Sequence, residues 1–266
     1  MTMQWGTAGS FPAEYERLNV TAFFRVYAED LVGRLGLADG ERLLDVATGT
    51  GIIPRVARAA VPGLARVAGL DMTPGMLAVA ADVSAGLDVD WVEGDATHMP
   101  FENGSFDAIS CQQGLQFVPD REAALAEMLR VAGGGGRIAI SCWGPIERQV
   151  VPSALVQAAA SLLPDVGGVT SAPFSLHGDT LTALVVGAGF TDVETAEVQL
   201  DAHYGSAEDA VQGFASGSPL ALVLPTLDAE AVDQWQTEAE ALLHAHETSD
   251  GLKTAMVTTV VTALAP

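Results

Sequence analysis

Basic charge is what this chain has least of. Its 266 residues include 12 lysines and arginines, Lys253 being the one lysine, against 34 aspartates and glutamates, for a formal net charge of −22. Neutralising phosphates takes clusters of Lys and Arg, so the composition argues against nucleic acid and against anionic membrane surfaces. The acidity itself speaks first to solubility, with salt adaptation as a further reading. No apolar run reaches 18 residues, so no transmembrane helix is expected. The first 18 residues, MTMQWGTAGSFPAEYERL, have neither a basic nor an apolar block, so no signal peptide is expected. Cysteine is scarce too: Cys111 and Cys142 both fall in apolar strand-like runs and read as reduced, small core side chains of a cytoplasmic protein. G-x-S-x-G is missing, as is a Gly-Lys-Ser/Thr after any glycine turn, which removes the hydrolase elbow and the P-loop. No Cys/His/carboxylate group has metal-ligand spacing; His244 and His246, two apart on a helix, point to different faces.

What is present centres on LLDVATGTG, Leu43 to Gly51. Leu43, Leu44 and Val46 read as a strand buried on both faces, with Asp45 its one charge. Gly49 and Gly51 turn the backbone into a helix over Ile52–Ala60, whose free N–H groups face the turn. A dinucleotide loop would place a third glycine where Pro54 stands, and Asp45 would repel a pyrophosphate. A ligand with a cationic amino-acid end suits the loop better, and S-adenosylmethionine (SAM), with its ammonium, sulfonium, ribose and adenine, has that inventory.

This stretch resembles the first motif of the class I SAM-dependent methyltransferases, in the small-molecule branch that includes ubiquinone- and menaquinone-type enzymes, with Ala47-Thr48 where Gly-Cys or Gly-Ser is usual. Later stretches carry the resemblance to about Ser141. In VAGLDMTPGMLAVA a strand ends at Leu70, and Asp71 lies about 20 residues after the loop, where an acid pairs with both ribose hydroxyls. Met72 is placed against an adenine face, and Thr73 and Pro74 open a helix. In VEGDATHMPFENGSFDAI the resemblance implies that Asp95 accepts from the adenine amino group and that the Ala96 N–H reaches a ring nitrogen; His98 reads as a solvated loop residue. After a fourth strand, Ala108–Gln112, Cys111-Gln112-Gln113-Gly114 resembles the small-molecule branch and lacks the motifs of the DNA adenine and cytosine enzymes. A backbone carbonyl near Gln112 is expected to hold the methionine ammonium. Gln113 or Gln116 faces the acceptor, or else serves only in rim hydrogen bonding.

The cofactor-binding set is therefore Asp45, Ala47, Thr48, Gly49, Gly51, Asp71, Met72, Asp95, Ala96 and Gln112, with no metal. The expected fold is α/β: a Rossmann-like, doubly wound sheet of seven strands with the last antiparallel, in one domain over residues 1–266. Asp120 should cap a helix over Arg121–Val131, and Arg137–Trp143 should form the fifth strand. Gly133–Gly136 lie at the rim away from the ligand crevice and read as a helix-ending turn. A helix over Gly178–Gly187 and a sixth strand over Glu194–Leu200 follow, and Thr254–Ala263 reads as the last strand. An amphipathic helix over Ala13–Leu35 carries Leu18, Phe23, Phe24, Tyr27 and Leu31 as core or lid packing, and the resemblance, whose members often fold this segment over SAM, implies Tyr15 as a cofactor contact. Segments 144–177 and 201–250 leave the carboxyl rim and should form a helical cap, apolar through Val150, Val151, Leu155, Leu162, Leu163 and Phe174. No catalytic residue is determined: His203 and Tyr204, just past the sixth strand, and Gln113 are the candidates, and a base is needed only for an acceptor that keeps a high-pKa proton. The expected reaction is methyl transfer to a small, largely uncharged organic acceptor at O, C or N. The rivals are a cyclisation or rearrangement on the same fold and a SAM-binding regulatory protein without turnover.

Overall fold

The computed structural model describes residues 11–162, 172–218 and 220–266. Its centre is β1 (Arg42–Val46), β2 (Arg66–Asp71), β3 (Asp90–Glu93), β4 (Ala108–Gln112) and β5 (Arg137–Trp143), all parallel. The long β6 (Thr191–Tyr204) and β8 (Gly251–Leu264) complete the sheet in the order β3-β2-β1-β4-β5-β8-β6, with β8 antiparallel to both neighbours. The expected seven strands are these; an eighth, the two-residue β7 (Glu247–Thr248), pairs only with the start of β8. Alternation along each buried strand divides the interior into two cores. Leu43 packs on the face covered by α2 (Arg25–Leu35) and α3 (Ile52–Ala60), and Leu44 on the face covered by α5 (Arg121–Ala132) and α7 (Gly178–Gly187).

Chain order reverses between β1 and β4, and the crevice at the carboxyl ends of these two strands is where a doubly wound sheet takes a ligand. Two close backbone approaches build its floor. Gly51 has φ +79°, and a Cβ there would stand 2.3 Å from the Trp91 ring. Gly114, after β4, lies so near the β1 loop that a Cβ would stand 2.5 Å from Ala47 Cβ. The helix α4 (Pro74–Val83) starts at Thr73 as expected, and Asp120 caps α5 by accepting from Ala123 N–H at 2.9 Å.

Above the rim lie the N-terminal helix and the helices after β5 and β6. α1 (Phe11–Tyr15) runs into nine residues, Glu16–Phe24, wound as a π-helix and then into α2; Arg25 N–H reaches back to Val20 O. The expected single α-helix over Ala13–Leu35 is thus broadened at its middle. α6 (Val150–Leu162), α8 (Ala207–Ser216) and α10 (Ala229–Leu243) pack together, with α9 (Leu220–Val223) beside α8. Trp235 Nε1 donates to Leu155 O at 3.2 Å, joining α10 to α6. Leu163 and the Leu162 side chain lie outside the described residues. Among the described residues no helix is long and apolar enough to cross a membrane.

Two expected boundaries move. β6 continues past Leu200 to Tyr204 and β8 begins at Gly251, because the two strands pair residue by residue from Glu194↔Thr262 to Tyr204↔Leu252. The segment expected as cap from residue 201 therefore begins as strand. Where β5 ends at Trp143, Gln149 continues its ladder: its buried amide accepts from Val257 N–H at 3.1 Å and donates to Val257 O at 2.6 Å. Gln149→Leu leaves the Val257 N–H unpaired in the core. It should destabilise the fold by about 1–3 kcal/mol, read from urea unfolding midpoints.

Candidate active site

Asp45 lies across from Gly69 on β2 and Ser110 on β4. It is buried, and it accepts from Ser110 Oγ at 2.7 Å and from Thr48 Oγ1 at 2.6 Å. No cation meets it among these bonds, so burial pushes its carboxyl up to about 7, the two hydroxyls oppose the shift, and the Asp71 charge adds to it. The loop beyond alternates left-handed residues: Ala47 at φ +55°, Gly49 at +56° and Gly51 at +79°. Ala47 carries a Cβ in a region that disfavours one, a strain held by the bond from Thr48 N–H to Leu70 O at 3.0 Å.

Asp71 joins this loop to the next. One oxygen accepts from Gly49 N–H at 2.8 Å and the other from Thr73 N–H at 2.9 Å. Its pKa is raised, by burial first, with those N–H groups opposing. Met72 beside it is 50% exposed at the rim. Gly94 N–H donates to Asp71 O at 3.0 Å, which brings the Asp95-Ala96 turn alongside; Asp95 is exposed and accepts from Thr97 N–H and Oγ1 at 2.8 and 2.9 Å. Gln112 is buried and its Nε2 donates to Phe24 O at 3.1 Å, a contact to the N-terminal helix that sequence reasoning missed. The ten positions expected to hold the cofactor thus come to one rim, from Asp45 at its floor to Asp95 at its edge.

A cavity of about 70 Å³ opens beside the crevice. Six aromatic side chains wall it: Tyr15, Phe23, Phe24, Phe117, Trp143 and Phe214, with Asn19, Gln113 and Gly217 completing the lining. The rings of Phe23 and Phe24 lie 4.4 Å apart, and Trp143 stands 5.7 and 6.0 Å from them. Tyr15 belongs to cavity and crevice alike. Burial, then the Asp71 charge, drives its phenol far above its ordinary pKa. Asn19 ties the N-terminal helix to α8 by donating to Gly213 O at 2.7 Å. Arg55 ties it to α3: both its terminal nitrogens meet Glu16, at 2.8 and 2.9 Å.

The candidates His203 and Tyr204 do not face one site. β6 extends through both, so strand alternation sends His203 to solvent, opposite Lys253, and Tyr204 into the core, its hydroxyl 3.4 Å from Asn19 Oδ1. His203 is corrected to an exposed strand residue, and Tyr204 backs the cavity's Asn19 without lining it. Gln113 does line the cavity. Gln116 instead accepts from Trp143 N–H at 3.0 Å. Sequence reasoning missed Asn19, Phe117, Trp143, Phe214 and Gly217; the one signal was an aromatic at the carboxyl end of a buried strand, Trp143. Among the described residues no group of three or more His, Cys, Asp or Glu could hold a metal ion.

The methyltransferase domain family matches residues 44–140. The chain belongs to the class I SAM-dependent methyltransferases, in their small-molecule branch, and SAM is its cofactor. It is 33% identical to demethylmenaquinone methyltransferase of Thermus thermophilus over 165 residues, 57% of this chain and 74% of that one. It is 36% identical to the Staphylococcus aureus enzyme of the same name over 129 residues, 47% of this chain and 54% of that one. Phosphoethanolamine N-methyltransferase 2 of Haemonchus contortus, solved with SAM, shares the fold at a TM-score of 0.62 and 19% identity, covering 96% of this chain and 56% of that one.

The residues present fit this cofactor. The buried, cation-poor Asp45 suits an ammonium, and the doubly anchored Asp71 keeps further lone pairs for hydroxyl donors.

Asp45 makes a pH prediction. Its folded pKa lies above its unfolded one, so the native state holds a proton that the unfolded chain has released, and stability falls as pH rises toward 7. Between pH 5 and 7, above the range of the depressed Glu41, Asp107 and Glu127, wild type should lose about 2–3 kcal/mol through this group. Asp45→Asn should remove that part of the slope in urea titrations of the cofactor-free protein at each pH.

Proposed function

We propose that the enzyme methylates a small, largely uncharged organic acceptor seated in the aromatic cavity. The observation that carries this reading is the aromatic cavity itself, lined by Tyr15 of the N-terminal helix and by Gln113, which directly follows β4 at the carboxyl rim. Asp71 takes the ribose hydroxyls, Met72 the adenine face, and Asp95 with the Ala96 N–H the adenine edge. Asp45 and the backbone carbonyl near Gln112 take the methionine ammonium above the loop Ala47, Thr48, Gly49 and Gly51. Bound there, the cofactor supplies a methyl carbon already activated by its sulfonium. The chain's own part is to hold the acceptor in line and to exclude water, and such positioning contributes on the order of 7–11 kcal/mol to a transfer step. The chain acts as one domain, with the helices that follow β5 and β6 as its cap; of these, α6, α8 and α10 pack together and α8 is tied to the N-terminal helix through Asn19 and Gly213. The acidic surface and buried thiols suit a cytoplasmic enzyme without a nucleic-acid partner.

A methyl-labelled SAM assay against extract of the native host, read by mass spectrometry, tests the reaction: labelled product with S-adenosylhomocysteine is expected, and binding without turnover would sink it. Asp71→Ala should weaken SAM binding by about 2–4 kcal/mol in calorimetry, each charge-assisted bond contributing about 1.5–3. Equal affinities would remove Asp71 from the site. SAM should raise the melting temperature and NAD should not, since Asp45 opposes a pyrophosphate and only a ligand of the folded state stabilises it.

A further inference from the structure

Among the described residues, the lining of the aromatic cavity offers nothing to take a proton. Its polar lining is two amides, Asn19 and Gln113, and the phenol of Tyr15, which burial keeps protonated. An alcohol acceptor, which needs a base to make it nucleophilic, finds none there. An anionic acceptor fares no better. Among the described lining residues there is no Arg, Lys or His, and the charges of Asp71 and Asp45 act on Tyr15, in a chain of net charge −22. An amine does not meet the second obstacle, and it meets the first only outside the cavity, where water takes the proton of its ammonium form. Its free base already carries the attacking lone pair, and its product is a cation, which aromatic faces attract.

Gln113 adds a directional requirement. It is 5% exposed, its backbone is left-handed at φ +54°, and its N–H donates to Ser141 O at 2.9 Å. Its Nε2 lies 3.5 Å from Ser141 Oγ, while its Oε1 is buried and has no partner. A buried carbonyl without a donor, in a strained residue at a cavity wall, suits a ligand that brings an N–H. The volume of about 70 Å³ is well under the roughly 150 Å³ of a cavity that holds a benzene ring, and so suits a compact head group.

We propose that the cavity is the head-group subsite for an aliphatic amine and that Gln113 Oε1 accepts the N–H of the nitrogen to be methylated. The proposal rests on the methyl-transfer reading above. The neutral nitrogen forms the N–C bond as the C–S bond breaks, and the C–S electron pair stays on sulfur as S-adenosylhomocysteine. Positive charge passes from sulfur to nitrogen. The ammonium form present in solution gives up its proton to water before the free base attacks; the N–H proton left on the ammonium product faces Gln113 and is lost to solvent after release.

The test is a titration of the whole protein, saturated with S-adenosylhomocysteine, at 0.15 M salt and neutral pH. Dimethylammonium is compared with ethanol, which has as many heavy atoms and also a donor, but no charge. Dimethylammonium should bind at least tenfold more tightly. Gln113→Leu should cut its affinity about tenfold, and because that change is charge-neutral the general attraction of an acidic protein for cations cancels. Gln113→Gly, which relaxes the left-handed backbone, serves as a second variant where leucine prevents folding. Equal binding of the two probes, or a preference untouched in a folded variant, would overturn the proposal. So would label found on carbon or oxygen in the extract assay. Failure to bind S-adenosylhomocysteine at the outset is a separate result, which removes the methyl-transfer reading beneath it.

Discussion

A carboxyl group buried with no cation beside it among the described residues is the constraint on which the carboxyl rim turns. Asp45 sits at the sheet's switch point, held by one hydroxyl from its own loop and one from β4. Two hydroxyl bonds do not replace the hydration it has lost, so its pKa climbs to about 7. Nearby residues are spent on keeping that group in place. Ala47 and Gly49 are wound left-handed to return the chain past it, and Gly114 must lack a side chain so that the β4 loop can close against Ala47. The arrangement is costly to an empty protein and favourable to one that binds a cation, the usual balance at a functional site.

The N-terminal helix converts this floor into an enclosed site. Its π-wound middle turns Asn19, Phe23 and Phe24 inward in one short stretch, and such widened turns recur at functional sites. Three side-chain ties hold it down: Glu16 to Arg55, Asn19 to Gly213 O, and Gln112 to Phe24 O. They reach α3, α8 and β4 respectively, so a shift of this helix moves the cavity wall and the cover of the crevice together.

Much of this was legible locally. β4, β5, α3 and α7 have the bounds that their apolar runs and flanking Gly, Asp and Pro signal. A central parallel strand buried on both faces is an uninterrupted apolar word, and the turns around it are written in glycine and caps. Asp45 near the end of β1, Asp71 at the end of β2 and Asp95 just past β3 are spaced to put three acids at one rim. The aromatic cavity was less legible. Phe23 and Phe24 read as packing, and Trp143 as the end of a strand. Nothing local says that a helix starting near residue 11 closes over a strand end more than a hundred residues away.

The difference between the two has one physical reason. Buried periodicity, glycine turns and helix caps are short-range, so the sequence by itself determined a doubly wound sheet, its cofactor loop and the class of ligand that loop accepts. Positions settled by pairing or packing between distant segments waited for the tertiary structure. β6 runs on through His203 and Tyr204 only because β8 is there to pair with it, and that pairing sends the two side chains to opposite faces. The Asn19 link, the ring of aromatics and the unpaired oxygen of Gln113 exist only once the N-terminal helix, β4, β5 and α8 meet.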